Sequence, residues 1–251
     1  MKHEFRDRHI LITGAGRGLG RHAALHLAEL GATLGVADID ANSAQAVAAE
    51  IGSAGGVGFA YPADVSEQES FERIATDFAG QCGRIDAIVN NAMVLHYCGV
   101  EDVEPQRLDT MLSVGIKSLF WSAQALLRHY DAEQGAALIN IASPVAARGY
   151  PGTSAYSTVK GAVVSFTRAM AAELGPRGIR VNAVSPGSVP TPGALALNTA
   201  EVYEQRAAVN PLRRNGTETD NSKAIAFLLS EDAEYINGEI LNVDGGTSAC
   251  A

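Results

Sequence analysis

A glycine-rich turn set between an apolar run and a helix-period segment constrains this chain more than any other feature. His9–Thr13 reads as a strand and Leu19–Leu30 as a helix, joined by Thr13-Gly14-Ala15-Gly16-Arg17-Gly18-Leu19-Gly20. Glycines in such a turn let the backbone approach a pyrophosphate. The helix N-terminus that follows offers unpaired N–H groups and a partial positive charge to hold it. A glycine string alone is weak, since an ordinary tight turn also uses it; the strand before and the helix after make a nucleotide cradle of Gly14, Gly16, Arg17, Gly18, Leu19 and Gly20 the better reading.

The same alternation runs on through the chain. Strands are predicted at Thr33–Asp38, Val57–Tyr61, Ile85–Asn90, Ala137–Ala142, Arg180–Ser185 and Ile240–Val243. Helices are predicted at Ser43–Ile51, Glu67–Phe78, Leu108–Tyr130, Ala155–Leu174 and Thr219–Leu229. Gly31 stands where a left-handed residue closes the first helix, and Ser66 with Glu69 has the form of a capping box. Strands alternating with helices make βαβ units, so the expected fold is α/β, a doubly wound (Rossmann) parallel sheet of about seven strands with helices on both faces. No linker, charge run or repeat divides residues 1–251, which argues for one domain. The stretch 188–215, with Pro190, Pro192, Pro211 and a short helical pattern near Ala200–Ala208, breaks the regularity and reads as a substrate lid.

Composition narrows the function. Among 251 residues, 47% are hydrophobic and 19% charged, which argues against disorder, and the net charge of −9 repels nucleic acid and anionic membrane surfaces. Cys82, Cys98 and Cys250 are too few and too scattered for a disulfide framework or a structural zinc site. The charged start Met1–His9 leads into a strand without a signal-peptide or membrane-spanning stretch, so a cytoplasmic protein is expected.

Chemistry gathers at predicted strand ends. Asp38 closes the second strand, 18 residues after Gly20, where a carboxylate accepts from adenosine ribose hydroxyls. A 2′-phosphate about 4 Å from it would meet a repulsion of about 4 kcal/mol at an effective dielectric near 20, which favours NAD over NADP. Arg17 can attract that phosphate and partly offset Asp38, or simply be solvated; Asp40 reads as a solvated strand end. Tyr156 and Lys160 lie one helical turn apart, so an ammonium can lower the phenol's pKa and make it an acid/base. Ser143 follows the apolar strand at the end where parallel sheets place ligands, ready to hold a substrate oxygen.

Taken in order, the glycine turn, Asp38, Asp64-Val65, Asn90-Asn91-Ala92, Ser143 with Tyr156 and Lys160, Pro186-Gly187 with Thr191, and Val243-Asp244-Gly245-Gly246 resemble the short-chain dehydrogenase/reductase family across nearly the whole chain. The resemblance implies nicotinamide-dependent interconversion of an alcohol and a carbonyl. Tyr156 would be the acid/base, Ser143 would hold the substrate oxygen, and Lys160 would bind the nicotinamide ribose and lower the tyrosine pKa. It places Asp64 and Val65 against the adenine, Asn91 beside the adenosine ribose, and Val189 with Thr191 at the nicotinamide carboxamide, with Pro186 and Gly187 also among the cofactor-binding positions; Asn90 reads as structural. A homotetramer or homodimer is implied too, and the apolar segment Met111–Tyr130 (Leu112, Ile116, Leu119, Phe120, Trp121, Leu126, Leu127) exceeds what one core face needs.

Two residues depart from the family pattern. Gly115 stands where the family carries an asparagine thought to hold a proton-relaying water, and the expectation is that it leaves room for a replacement water. Met93 replaces a family glycine and reads either as a shaper of the substrate site or as core. His22 and His26, one turn apart, have metal-ligand spacing without a third ligand, so no metal is expected; His96, Tyr97 and Cys98 read as loop residues on the substrate side. The expected activity is an NAD-dependent alcohol dehydrogenase/ketone reductase acting on a small apolar or aromatic substrate. The alternatives are a 3-oxoacyl thioester reductase and a non-catalytic nucleotide-binding regulatory protein.

Overall fold

In the chain, β1 (His9–Thr13), α1 (Gly18–Glu29), β2 (Thr33–Asp38), α2 (Ala41–Ser53), β3 (Val57–Pro62), α3 (Gln68–Cys82) and β4 (Ala87–Asn90) alternate without interruption. After them come α4 (Pro105–Leu112), α5 (Ser118–His129), β5 (Ala136–Ile141), α6 (Ser154–Leu174), β6 (Ile179–Pro186), α7 (Pro192–Leu195), α8 (Ala200–Val209), α9 (Glu218–Leu229) and β7 (Ile240–Val243). The computed structural model describes residues 5–250; the start of the charged N-terminus, Met1 to Glu4, and Ala251 lie outside the described residues.

All seven strands pair in parallel in the order β3-β2-β1-β4-β5-β6-β7, with Ile10 beside Leu34 on one side and Ala87 on the other. The order reverses between β1 and β4, which is where doubly wound sheets leave a crevice at the carboxyl ends of their strands. The central strands are apolar on both faces because helices cover both. Leu11, Ile88, Leu138 and Val181 pack with Phe71, Phe78, Leu119 and Phe166 on one side. Ile10, Ile12, Val36 and Ile139 pack with Leu27, Val47, Ile51 and Ile225 on the other. The two-sided sheet matches the fold expected from the alternation.

Two local expectations change. Gly31 does take positive φ (102°) after α1, but the Ser66–Glu69 capping box does not form. Asp64 Oδ1 accepts from the Ser66 N–H at 2.9 Å, so this turn engages the Ser66 backbone and α3 begins after Glu67 without a side-chain cap. A capping box does form between Thr217 and Asp220 at the start of α9. Asp40 is more than a solvated strand end, since its carboxylate caps α2 through the Asn42 N–H at 3.0 Å.

The predicted helix Leu108–Tyr130 is interrupted by a π-helical turn at Ser113–Lys117 that contains Gly115. Most of its apolar side chains serve the monomer: Met111, Leu119 and Leu126 are buried, and Trp121 and Leu127 pack against the core. Phe120 alone of the expected second face is left half exposed, edge-on to Phe166 at 5.0 Å. No helix among the described residues is long and apolar enough to cross a membrane.

Candidate active site

Because the strands are parallel, the residues that follow each of them gather on one edge of the sheet. The turn after β1 lies against the β4 end: Gly14 takes φ +61°, and a Cβ on it would sit 2.8 Å from the Ala92 Cα. A Cβ on Gly16 would meet Ser43 at 2.6 Å and Asp38 Oδ2 at 2.9 Å, so only glycine fits there. α1 opens at Gly18 with no side-chain cap from Arg17 and no acidic residue in its first turn. Its N–H groups are thus left for a ligand anion, which is the arrangement a pyrophosphate needs.

Asp38 is fixed rather than free to swing. Oδ2 accepts from the Gly16 N–H at 2.8 Å and Oδ1 from the Asp40 N–H at 3.0 Å, placing the carboxylate beside the cradle. Arg17 is exposed, and its charge reaches Asp40. Asn91 Nδ2 donates to the Thr13 and Gly14 carbonyls at 3.0 and 2.9 Å, so this amide shapes the turn. Asn90 ties β4 to its neighbours through Asn140 Oδ1 and Ser122 Oγ, both at 2.8 Å. Asp64 and buried Val65 follow β3 on the same edge. Pro186 and Gly187 end β6, Val189 is buried, and the Thr191 side chain stands 3.5 Å from where a Gly18 Cβ would be. The segment after β6 therefore lies against the cradle at Thr191.

Ser143, Tyr156 and Lys160 converge next to it. Ser143 follows β5, and its hydroxyl is the neighbour that favours ionisation of the Tyr156 phenol. Lys160 Nζ is 5.7 Å from the Tyr156 ring centre and donates to the Ile141 carbonyl at 2.6 Å. The expectation that the ammonium pulls the phenol down is not met in this structure. Burial and then the neighbouring Tyr97 raise Tyr156 well above the ordinary tyrosine range, and burial brings Lys160 itself down to about 8. The physical reason is desolvation: the two groups sit too deep for the phenolate to be favoured by one ammonium that is itself poorly solvated.

The space at Gly115 is filled. A Cβ there would overlap the Val159 Cγ1 methyl and lie 3.0 Å from the Met93 sulfur. No room for a replacement water exists at the Cβ position, and the two departures from the family pattern are one packing arrangement, with the Met93 thioether laid against the bare backbone of the π turn. Val159 immediately precedes Lys160, so this contact backs the residue pair directly.

The most informative residue beyond the expected set is Tyr97. Its ring stands edge-on to Tyr156 at 5.5 Å and 77°. Only its place in the loop after β4 pointed there; the loop is held to the one after β5 by the Cys98 N–H to the Gly152 carbonyl at 3.0 Å. His22 is absorbed in helix packing, with Nδ1 2.8 Å from Ser222 Oγ, and among the described residues no three His, Cys, Asp or Glu side chains gather to hold a metal.

A phosphate cradle at the switch point of a doubly wound sheet, with a Ser-Tyr-Lys group beside it, defines a nucleotide-dependent oxidoreductase. Comparison with known proteins gives the family. A family profile described as Enoyl-(Acyl carrier protein) reductase matches residues 14–248. The 3-oxoacyl-acyl-carrier-protein reductase of Staphylococcus epidermidis is 34% identical over 241 residues, covering 96% of this chain and 98% of the relative. Among solved structures, a short-chain dehydrogenase/reductase from Serratia marcescens is 32% identical with a TM-score of 0.92, covering 98% of this chain and 100% of that one. A 7α-hydroxysteroid dehydrogenase complexed with NADH and 7-oxo glycochenodeoxycholic acid is 29% identical with a TM-score of 0.93, covering 98% and 96%. The chain belongs to the short-chain dehydrogenase/reductase family and is an oxidoreductase of that nicotinamide-binding group.

Proposed function

We propose that the protein is an NAD-preferring enzyme interconverting a secondary alcohol and a ketone of small apolar or aromatic character. The observation that carries this reading is the convergence of Ser143, Tyr156 and Lys160 beside the glycine cradle. A bound nicotinamide supplies or accepts the hydride. Ser143 holds the substrate oxygen, Tyr156 exchanges the proton with it, and Lys160, anchored on the Ile141 carbonyl, would hold the nicotinamide ribose. Because burial keeps Tyr156 protonated through the neutral range, the acid needed for ketone reduction is present at neutral pH. Alcohol oxidation needs the phenolate and rises with pH as that group ionises.

The NAD preference rests on Asp38, whose carboxylate is held against Gly16 with no basic side chain within 4 Å among the described residues. Asp38→Ala removes both the acceptor for the ribose hydroxyls and the charge facing a 2′-phosphate. The kcat/KM ratio of NADPH to NADH should rise at least about tenfold, since a charge pair at about 4 Å is worth several kcal/mol before screening. An unchanged ratio would remove Asp38 from the cofactor assignment.

The Staphylococcus relative supports a second reading, reduction of a 3-oxoacyl thioester. The same three residues would act, and Asp38 counts against it because reductive biosynthesis generally draws on NADPH. A regulatory role without turnover is the weaker alternative, since Ser143, Tyr156 and Lys160 are all in place. The half-exposed Phe120, edge-on to buried Phe166, further supports a homodimer or homotetramer through this helix face. Light scattering is expected to give a multiple of the 26.2 kDa chain mass, and a monomer at micromolar concentration would contradict that assembly.

A further inference from the structure

The lid carries a charge that the chemistry at Tyr156 does not use. Tyr97 is close to both the phenol of Tyr156 and α8: its ring meets Tyr156 edge-on at 5.5 Å, and its hydroxyl feels Arg206 and Tyr203 from that helix. Tyr203 is buried at 5% exposure, and its carbonyl accepts from Asn215 Nδ2 at 3.0 Å, which ties the middle of the lid to its C-terminal end. The Arg206 guanidinium lies over the Tyr203 ring, 5.3 Å from its centre. Its Nη2 donates to Asn198 Oδ1 at 3.3 Å, and no carboxylate among the described residues lies within 4 Å of it. Arg206 thus puts a cation without a carboxylate partner on a buried tyrosine of α8, close enough to Tyr97, the ring packed on the acid/base, for its charge to be felt there.

We propose that Arg206 is a specificity-determining residue that receives an anionic group on the substrate, set apart from the reacting carbonyl by an apolar or aromatic body lying along Tyr97. The substrate class is then a ketone or secondary alcohol bearing one carboxylate, sulfonate or phosphate. Arginine suits that task because its planar fork binds such groups bidentately, and stacking on Tyr203 holds the fork in place before the substrate arrives. A single guanidinium fits a singly anionic tail, whereas a polyanionic carrier would need more. This assignment rests on the reading of Tyr156 as the acid that protonates the carbonyl oxygen.

The test compares acetophenone with 4-acetylbenzoate, and 4-phenyl-2-butanone with its para-carboxylate, using NADH and the wild-type, Arg206→Gln and Arg206→Lys proteins. The wild type is expected to favour each carboxylate by at least about tenfold in kcat/KM, with the advantage falling as salt is added. Arg206→Gln should erase that advantage through a higher KM for the anionic ketone, and Arg206→Lys should restore part of it. Equal effects of Arg206→Gln on charged and neutral ketones, or no carboxylate preference in the wild type, would overturn the proposal. Binding of the same four ketones to the enzyme–NADH complex, read by quenching of NADH fluorescence, is measured alongside. If none of the ketones turns over, the reading of Tyr156 fails by itself; the role of Arg206 still stands or falls on whether the carboxylates bind more tightly and lose that advantage in Arg206→Gln.

Discussion

Tyr156→Phe is expected to lower kcat for ketone reduction by about 1,000-fold while leaving NADH binding in place, within the range that a positioned general acid contributes. The hydroxyl removed is the proposed proton donor, hydrogen-bonded to Ser143, whereas the ring that packs edge-on against Tyr97 is kept. Fluorescence titration with NADH and single-turnover reduction measure the two halves of the prediction separately. Retained turnover would show that another group delivers the proton. The pH dependence follows the same group: burial holds the phenol in its neutral form, so reduction is sustained at neutral pH and declines as Tyr156 ionises at alkaline pH, while oxidation rises over that interval.

The second large effect is expected at Gly115. Gly115→Asn supplies the residue type that the family carries there, and it should lower both stability and activity. Its Cβ would overlap the Val159 methyl and press on the Met93 sulfur, in a buried π turn packed against the helix that bears Tyr156 and Lys160. Overpacking of this kind costs about 1–3 kcal/mol. For a domain of this size, that corresponds to a fall in Tm of several degrees. Met93→Gly combined with Gly115→Asn relieves the sulfur contact but leaves the Val159 overlap, so it should recover part of the loss and no more. A gain in kcat for Gly115→Asn alone would show that the glycine is a weakness of the enzyme instead of one half of a fitted pair.

These two residues also mark what the sequence made legible. Tyr156 was readable because a helix brings positions four apart onto one face, and because a strand-end serine is carried to the same edge by a parallel sheet. Asp38 and the glycine turn were readable for the same topological reason. Gly115 and Met93 were each visible as departures, but their contact joins a loop after β4 to a helical turn more than twenty residues later, and no local period encodes it. Tyr97 likewise lay in an irregular loop whose path depends on tertiary contacts. The tyrosine ionisation was misjudged because spacing reports the neighbouring ammonium, whereas desolvation depends on every element packed around the pair. The misplaced capping box at Ser66 has a smaller cause of the same kind, since the Asp64 turn competes for the Ser66 backbone.

The central claim, hydride transfer from NADH to a carbonyl carbon with the proton supplied by Tyr156, is tested most directly by initial rates of NADH oxidation at neutral pH. Purified protein is offered aliphatic, cyclic and aryl ketones and a 3-oxoacyl thioester, with NADPH in parallel. The account predicts carbonyl-dependent oxidation of NADH, faster than that of NADPH and greatest with a ketone. Tight NADH binding without carbonyl-dependent oxidation across the whole panel would contradict it.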